Sequence, residues 1–294
     1  MQFRKIKSGP NYKLQSLKGE NWQDVKPGTE PFKAFLRATG GAEFDAQDPK
    51  PFAPKSYRDF MLYERHYIQA ATNYAKAHKP AALKIAQIYQ KITGKVHPKL
   101  KPSKLWYQAP IFYMGGHMNF YGDGDEIHWP AYSNTRDYEL EIGCVLAEPL
   151  LNASPQEAAA AIGGFVVFND FSARDLQMPE MESGFGPQKS KHFANAISST
   201  FVTADEILPR LGELTGHVSI NGEKVGAVHS SGMQYTLPEA IAHVSKGERL
   251  YPGEFFATGT LPNGCGLENG HMLDKGDTVT LEIEGIGQVS NTIV

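Results

Sequence analysis

Two glutamates interrupt an apolar run in the segment TRDYELEIGCVL, residues 135–146. The residues around them are typical of a strand that enters a protein core. In a strand, residues i and i+2 project from the same face, so Glu139 and Glu141 lie side by side, about 7 Å apart. Leu140 and Ile142 occupy the other face. The pair either belongs to a solvated strand face or needs a cation that neutralises both carboxylates. The spacing alone leaves both interpretations open.

A third acid follows a second apolar run, in GGFVVFNDFSARDLQ, residues 163–177. Asp170 stands at the end of this run, where it either caps the next turn or joins the two glutamates. Three acids without a cysteine or histidine beside them would form an all-oxygen site, which selects Mg²⁺, Mn²⁺ or Ca²⁺ rather than zinc. We interpret Arg174 and Asp175, which come next, as a local ion pair.

The bulk composition excludes several function classes. The chain has 294 residues, of which 41% are hydrophobic, and its formal net charge is −3. We therefore expect no strong attraction to nucleic acid or to an anionic membrane. No apolar run approaches the roughly 20 residues of a membrane-spanning helix, and residues 1–14 lack the apolar middle of a signal peptide. Two cysteines do not make a disulfide framework, so we expect a reduced, cytoplasmic protein.

The spacing of apolar residues divides the chain into two parts. Residues 1–55 are polar, with scattered prolines, and predict an irregular region. After them, apolar residues at spacings of three and four predict two helices, about 57–78 and 80–93. Beyond that point, β-type runs alternate with turns and brief helices. The sequence therefore predicts an α+β fold, in which a helical and irregular N-terminal region, residues 1–105, precedes a β-dominated catalytic domain, residues 106–294.

A series of motifs over about residues 106–294 resembles the fumarylacetoacetate hydrolase family. In chain order, the motifs are DYELEIGCVLAEP, IGGFVVFNDFSARDLQ, GFGPQKSKHFANAISSTFVTADEI, INGEKV, LYPGEFFATGT and GIGQVSN. The resemblance implies a fumarylacetoacetase-like fold, a mixed β-roll or sandwich, and a homodimer. It also implies a divalent metal held by Glu139, Glu141 and Asp170, with Mg²⁺ expected first and Mn²⁺ or Ca²⁺ as alternatives.

The resemblance extends upstream and supplies further site residues. The segment RDFMLYERH is similar to one that carries a fourth acidic ligand, here Asp59, and a catalytic histidine, here His66. On the helical interpretation these two lie two turns apart on one face; otherwise His66 is an ordinary helix residue. The family's active-site lysine falls on Lys191, and the acid that orients the histidine falls on Glu268. The positions that correspond to substrate contacts are Tyr113, Gln177 and Thr260.

Three departures from the family pattern concern the substrate. Met61 stands where the family can carry a substrate-contacting tyrosine. For the family's substrate-binding arginine we find no good match, and Lys76 is a weak substitute. His78 faintly resembles a histidine in the lid motif of smaller acylpyruvate-cleaving relatives but is out of step by one residue, so we prefer His66.

These residues predict a metal-dependent hydrolase that cleaves a carbon–carbon bond in a 1,3-diketo acid, an acylpyruvate or a fumarylacetoacetate-like compound. In one alternative the metal acts without an attacking water, and the protein is an isomerase or decarboxylase of 2-keto or 2-hydroxydienoic acids. Another is a non-catalytic binding module. The presence of both His66 and Glu268 favours the hydrolase, and retention of all four candidate metal ligands argues against the binding module.

Overall fold

A computed structural model describes residues 1–294, and sheets dominate it. The strands are β1 Gln2–Ser8, β2 Asn11–Lys18, β3 Asn21–Asp24, β4 Ser56–Phe60, β5 Phe112–Met114, β6 Phe120–Tyr121, β7 Glu126–Ile127, β8 Arg136–Asp137, β9 Leu140–Leu146, β10 Ile162–Asp170, β11 Ser172–Ala173, β12 Asn195–Ile197, β13 Thr200–Thr203, β14 Thr215–Ile220, β15 Glu223–His229, β16 Glu254–Ala257, β17 Thr278–Ile283 and β18 Gly287–Ile293. The helices are α1 Glu30–Ala38, α2 Glu64–His78, α3 Pro80–Thr93, α4 Pro155–Ala161, α5 Arg174–Glu182, α6 Ala204–Ile207, α7 Leu237–Val244 and α8 Gly266–Asn269. The predicted α+β class is confirmed.

An 11-stranded sheet forms the frame, with the strand order β3-β2-β1-β13-β10-β9-β16-β4-β5. Strands β12 and β6 extend it beside β10. A second sheet has the order β15-β14-β17-β18-β7. Both faces of the frame are covered, because Phe168 of β10 packs into one apolar cluster and Val167 into another. The strands at the centre of the frame are therefore held by packing on two sides.

The expectation of an irregular region over residues 1–55 is wrong. Strands β1, β2 and β3 form an antiparallel meander that joins the main sheet through β13, and α1 follows. The alternation of β1 is not evident in the sequence because Lys5, like Phe3, occupies a core-facing position and is only 3% exposed. Its ammonium donates to the carbonyls of Asp45 and Lys50, which satisfies the buried charge. A lysine at such a position breaks the apolar alternation by which a strand is predicted.

The predicted helix over 57–78 is wrong in its first third. Ser56–Phe60 is the buried strand β4, which runs parallel to β16, and α2 begins only at Glu64. β4 has the sequence SYRDF, in which the apolar residues Tyr57 and Phe60 lie three apart, as they would on one face of a helix. The prediction that Asp59 and His66 share a helix face is therefore also wrong. The second helix, 80–93, is confirmed as α3.

Strands on either side of residue 105 share the 11-stranded sheet, since β4 pairs with β16 and β1 with β13. The division into two domains at this residue stays a prediction. No helix of the structure combines the length and the apolar character needed to cross a bilayer.

Candidate metal centre and active site

The main sheet brings four acids from distant parts of the chain to one place. Glu139 directly precedes β9, Glu141 lies within it, and Asp170 ends the neighbouring β10. Asp59 lies on β4, which is separated from β9 by β16 alone. Carboxylate oxygens of Asp59, Glu141 and Asp170 lie within 4.8 Å of one another. All four acids are at most 5% exposed, so the interpretation of Glu139 and Glu141 as a solvated strand face does not apply.

Lys191 is the buried cation at the centre of this group. Its Nζ lies 2.7 Å from Oδ2 of Asp170 and 2.6 Å from Oγ of Ser172, and it also donates to Glu139. Burial lowers the pKa of an ammonium, but Asp170 and Glu139 outweigh burial here and raise the pKa of Lys191. Lys191 is therefore charged, and it donates to two of the acids and to the Ser172 hydroxyl.

Arg174 is a second buried cation, and the predicted ion pair with Asp175 is wrong. Its Nη2 lies 2.7 Å from Oε1 of Glu139, and its Nε lies 2.7 Å from Oδ2 of Asp137. Asp175 instead accepts from Oγ of Ser133. Although burial acts in the opposite direction, Lys191 and Arg174 lower the pKa of Glu139. Glu139 is therefore ionised and paired with two cations.

Lys191 and Arg174 do not balance the negative charge of the other three acids, which are Asp59, Glu141 and Asp170. Burial and the neighbouring carboxylates raise the pKa of Asp59 and Glu141 well above their usual range. Burial raises the pKa of Asp170 to about 6 even though Lys191 opposes the shift. Oδ1 of Asp59 is buried and has no hydrogen-bond partner. An all-oxygen group with excess negative charge and an unpartnered carboxylate oxygen fits a hard divalent cation.

A histidine and a glutamate lie beside the acidic group. His66 is in the first turn of α2, and its Nδ1 lies 3.0 Å from Oε2 of Glu268 in α8. The Glu268 side chain is fully buried, whereas His66 is 13% exposed. The backbone N–H of Asn263 donates to Glu268, and the amide of Asn73 on α2 donates to the carbonyl oxygens of Leu267 and Glu268. A carboxylate facing Nδ1 favours the tautomer with the proton on that atom, which leaves Nε2 as an acceptor.

These groups meet in a cavity of about 250 Å³. The predicted site residues that line it are Asp59, His66, Tyr113, Glu139, Glu141, Gln177, Lys191 and Thr260. Asp170 and Glu268 lie behind this lining, where Asp170 accepts a 2.6 Å hydrogen bond from Tyr113 and Glu268 contacts His66. The structure thus brings together all ten residues predicted for the site. Their catalytic and ligand roles stay predictions.

Lys76 and His78 lie elsewhere. Both are exposed near the end of α2, and neither lines the cavity. The ring of His78 packs against Tyr74, with 4.5 Å between centroids. Lys76 therefore does not replace the arginine that the family resemblance leads one to expect.

Comparison with curated proteins gives several relatives of similar identity. The chain is 28% identical to the 2,4-didehydro-3-deoxy-L-rhamnonate hydrolase of Sphingomonas sp. (strain SKA58), over 60% of this chain and 62% of the relative. It is 30% identical to the human mitochondrial oxaloacetate tautomerase FAHD2A, over 64% of this chain and 60% of the relative. The Escherichia coli homoprotocatechuate catabolism bifunctional isomerase/decarboxylase is 29% identical, over 64% of this chain and 42% of the relative. The chain thus spans less than two thirds of the length of these relatives.

Solved structures show the same fold at lower identity. Fumarylacetoacetate hydrolase from Exiguobacterium antarcticum matches with a TM-score of 0.71 and 21% identity, over 100% of this chain and 99% of that chain. Fumarylpyruvate hydrolase from Pseudomonas aeruginosa, in complex with Mn²⁺ and pyruvate, matches with a TM-score of 0.61 and 17% identity, over 86% and 93%. The sequence model of the fumarylacetoacetate (FAA) hydrolase C-terminal region matches residues 68–294. The chain therefore belongs to the fumarylacetoacetate hydrolase family.

Proposed function

We propose that this protein is a metal-dependent hydrolase that cleaves a carbon–carbon bond in a 1,3-diketo acid, such as an acylpyruvate. The observation that carries the proposal is the 3.0 Å contact between His66 and Glu268 on the cavity that also holds the acidic group. A hydrolase needs a group that takes a proton from water. His66, oriented by Glu268, would be that group. Pyruvate and Mn²⁺ in the related Pseudomonas aeruginosa fumarylpyruvate hydrolase support the same chemistry.

The residues that would hold the metal are Asp59, Glu139, Glu141 and Asp170. We propose Mg²⁺ first, with Mn²⁺ and Ca²⁺ as alternatives, because all candidate ligands are carboxylate oxygens. When bound, the ion would act as a Lewis acid that polarises a carbonyl of the substrate.

The chain's own side chains would handle the proton and the developing charge. Nε2 of His66 takes a proton from a water molecule, whose oxygen attacks the acyl carbonyl carbon. Glu268 stabilises the imidazolium that results, as an orienting carboxylate does in a hydrolase triad. Lys191 stabilises negative charge on the substrate oxygen. The bond between the acyl carbon and the methylene carbon then breaks, and the products are a carboxylic acid and, once the enolate takes up a proton, pyruvate.

Replacement of the proposed base tests this function. His66→Ala should reduce pyruvate release from acetylpyruvate by about 100-fold or more, because it removes the proton acceptor. Mg²⁺ affinity, measured by titration calorimetry, should stay unchanged. His78→Ala is the matched control, since His78 is exposed on the same helix outside the cavity, and it should keep full turnover. Unchanged turnover in His66→Ala would contradict the base assignment.

The alternative activity is tautomerisation, isomerisation or decarboxylation of a 2-keto acid. The names of the human oxaloacetate tautomerase and the Escherichia coli isomerase/decarboxylase favour it. Such chemistry needs the acidic group and Lys191 to stabilise an enolate, but no attacking water. Turnover of oxaloacetate together with inertness toward acylpyruvates would support this alternative.

We also propose a homodimer, on the basis of the family resemblance. Light scattering coupled to size exclusion should then give a mass of about 65 kDa, twice the 32.4 kDa of the chain. All ten site residues come from one chain. Dissociation of the dimer by dilution should therefore leave Mg²⁺ binding intact. A mass equal to one chain at all concentrations would contradict the dimer.

A further inference from the structure

Helix α5 runs from the acidic group toward the mouth of the cavity. Arg174 begins the helix and contacts Glu139. Gln177, one turn later, accepts a 2.7 Å hydrogen bond from Arg174 and lines the cavity. Met181, one further turn along, also lines it. With a rise of 1.5 Å per residue, Met181 lies about 10 Å beyond Arg174 along the helix. The helix thus connects a charged inner end, at Arg174, to an apolar outer end, at Met181.

Apart from two glycines, the rest of the cavity lining is apolar, and its members are Phe60, Met61, Ile111, Phe112, Met181 and Pro187. Phe60 is buried, and the exposed members form the outer lining. Met181 is 47% exposed and Phe112 is 38% exposed. Phe185, two residues before Pro187 in the chain, is 85% exposed. Exposed apolar surface around the mouth of a pocket is typical of a binding site for an apolar group.

Lys191 is the one lysine or arginine that lines the cavity, and it already donates to Glu139 and Asp170. Arg174 reaches the group from behind and pairs with Asp137 and Glu139. A carboxylate at the far end of a substrate would therefore meet apolar side chains and no cation, and losing part of its water without gaining a partner is unfavourable.

From this distribution we propose that the protein takes keto acids whose far end is an uncharged alkyl or aryl group and discriminates against diacids. The keto-acid head lies at the acidic group, and the tail contacts Met61, Phe112 and Met181. The placement of the head rests on the proposed function. The preference for an uncharged tail rests only on the outer lining. The placement of the head and the preference for the tail can therefore fail separately.

A matched pair of ligands tests the inference by binding, without any need for turnover. 2-Oxohexanoate and 2-oxoadipate have six carbons each and differ only in a terminal methyl or carboxylate group. In titration calorimetry with saturating Mg²⁺, we expect 2-oxohexanoate to bind about tenfold more tightly or better. Lengthening its chain by one methylene should tighten binding by up to about fourfold, which corresponds to ~0.8 kcal/mol for a buried methylene.

An added cation at the outer end should reverse the preference. Met181→Arg places a guanidinium where the second carboxylate of 2-oxoadipate would lie, and should tighten its binding about tenfold while weakening that of 2-oxohexanoate. Met181 is half-exposed, so the larger side chain does not disturb the core. Leu151→Arg adds the same charge at an exposed position on a separate cleft and should change neither affinity.

The outcomes separate this inference from the proposed function. Tighter binding of 2-oxoadipate by the unaltered protein, or an unchanged preference in Met181→Arg, would overturn the inference alone. Binding of neither ligand would overturn it together with the placement of the keto-acid head. A clear preference for 2-oxohexanoate, in a protein that cleaves no acylpyruvate, would support the inference and contradict only the hydrolase.

Discussion

Consecutive residues of β4 belong to two charge clusters that differ in their balance. Arg58 donates to Glu254, which is 6% exposed, and to Glu248, whose side chain is 47% exposed. The next residue, Asp59, belongs to the acidic group with Glu141 and Asp170. We call the first the arginine cluster and the second the acidic cluster. Successive residues of a strand project to opposite faces, so the two clusters lie on opposite sides of the same sheet.

The carboxylate oxygens of the two clusters differ in their partners. In the arginine cluster, Oε2 of Glu254 accepts from Arg58 and Ser56, and Oε1 accepts from the backbone N–H of Tyr251. In the acidic cluster, Oδ1 of Asp59 accepts nothing. Glu254 and Asp59 are both buried, so burial of an acid alone does not indicate a metal site. The distinguishing feature is negative charge that the protein's own cations leave unbalanced.

The largest expected effect lies in the arginine cluster. Arg58→Met removes the cation and leaves Glu254 buried without it, which should lower the free energy of unfolding by about 3–5 kcal/mol. Urea denaturation measures this loss. Mg²⁺ affinity should be unchanged in the folded protein, because the variant leaves the acidic cluster intact. A loss of metal binding equal to the loss of stability would erase the distinction between the clusters.

The acidic cluster should respond to pH in a way that the arginine cluster does not. Burial raises the pKa of Asp170 to about 6, above the ordinary carboxyl range near 4, so the metal-free folded state binds an extra proton between these values. The stability of the metal-free protein should therefore fall as pH rises from about 4 to about 6. Mg²⁺ binds the ionised form, so its affinity should drop about fivefold between pH 6 and pH 5. A flat affinity across this range would contradict the assignment.

The smallest effect is a difference of sign between two Glu→Gln variants. Without metal, Glu141→Gln removes a charge that burial and neighbouring carboxylates disfavour, and should raise the free energy of unfolding by about 1 kcal/mol. The glutamine can still accept from the backbone N–H of Gly259. Glu254→Gln removes a paired charge and should lower the free energy of unfolding by about 1–3 kcal/mol. Urea denaturation of metal-free protein measures both, and equal signs would contradict the comparison.

Local pattern drew attention to Glu139, Glu141 and Asp170 but left a solvated strand face or a turn cap as open alternatives. The family resemblance assigned these residues to the site, together with Lys191 and Glu268, from short motifs. Asp59 was assigned to the site although its segment was predicted as a helix. The motif around it determines the residue's place in the family, whereas its five-residue strand is too short to show alternation and is followed closely by helix α2.

Partners that are distant along the chain were not predictable from one sequence. Arg174 is adjacent to Asp175, yet it pairs with Asp137 and Glu139, which approach it only once β8 and β11 are paired. The alternation of Asp137 with Glu139 was a signal that could have drawn attention to a third acid on that face. Lys5 was missed for another reason, since its ammonium is satisfied by backbone carbonyls that no side-chain pattern reveals.

Titration calorimetry of Mg²⁺ tests the metal centre most directly, with one double variant in each cluster. Glu139→Gln/Glu141→Gln removes two charges from the acidic cluster, and Glu248→Gln/Glu254→Gln removes two from the arginine cluster. We expect the unaltered protein and the second variant, shown by circular dichroism to be folded, to bind Mg²⁺ with equal affinity, and the first to bind at least about 100-fold more weakly. Wild-type affinity in Glu139→Gln/Glu141→Gln would contradict the metal centre.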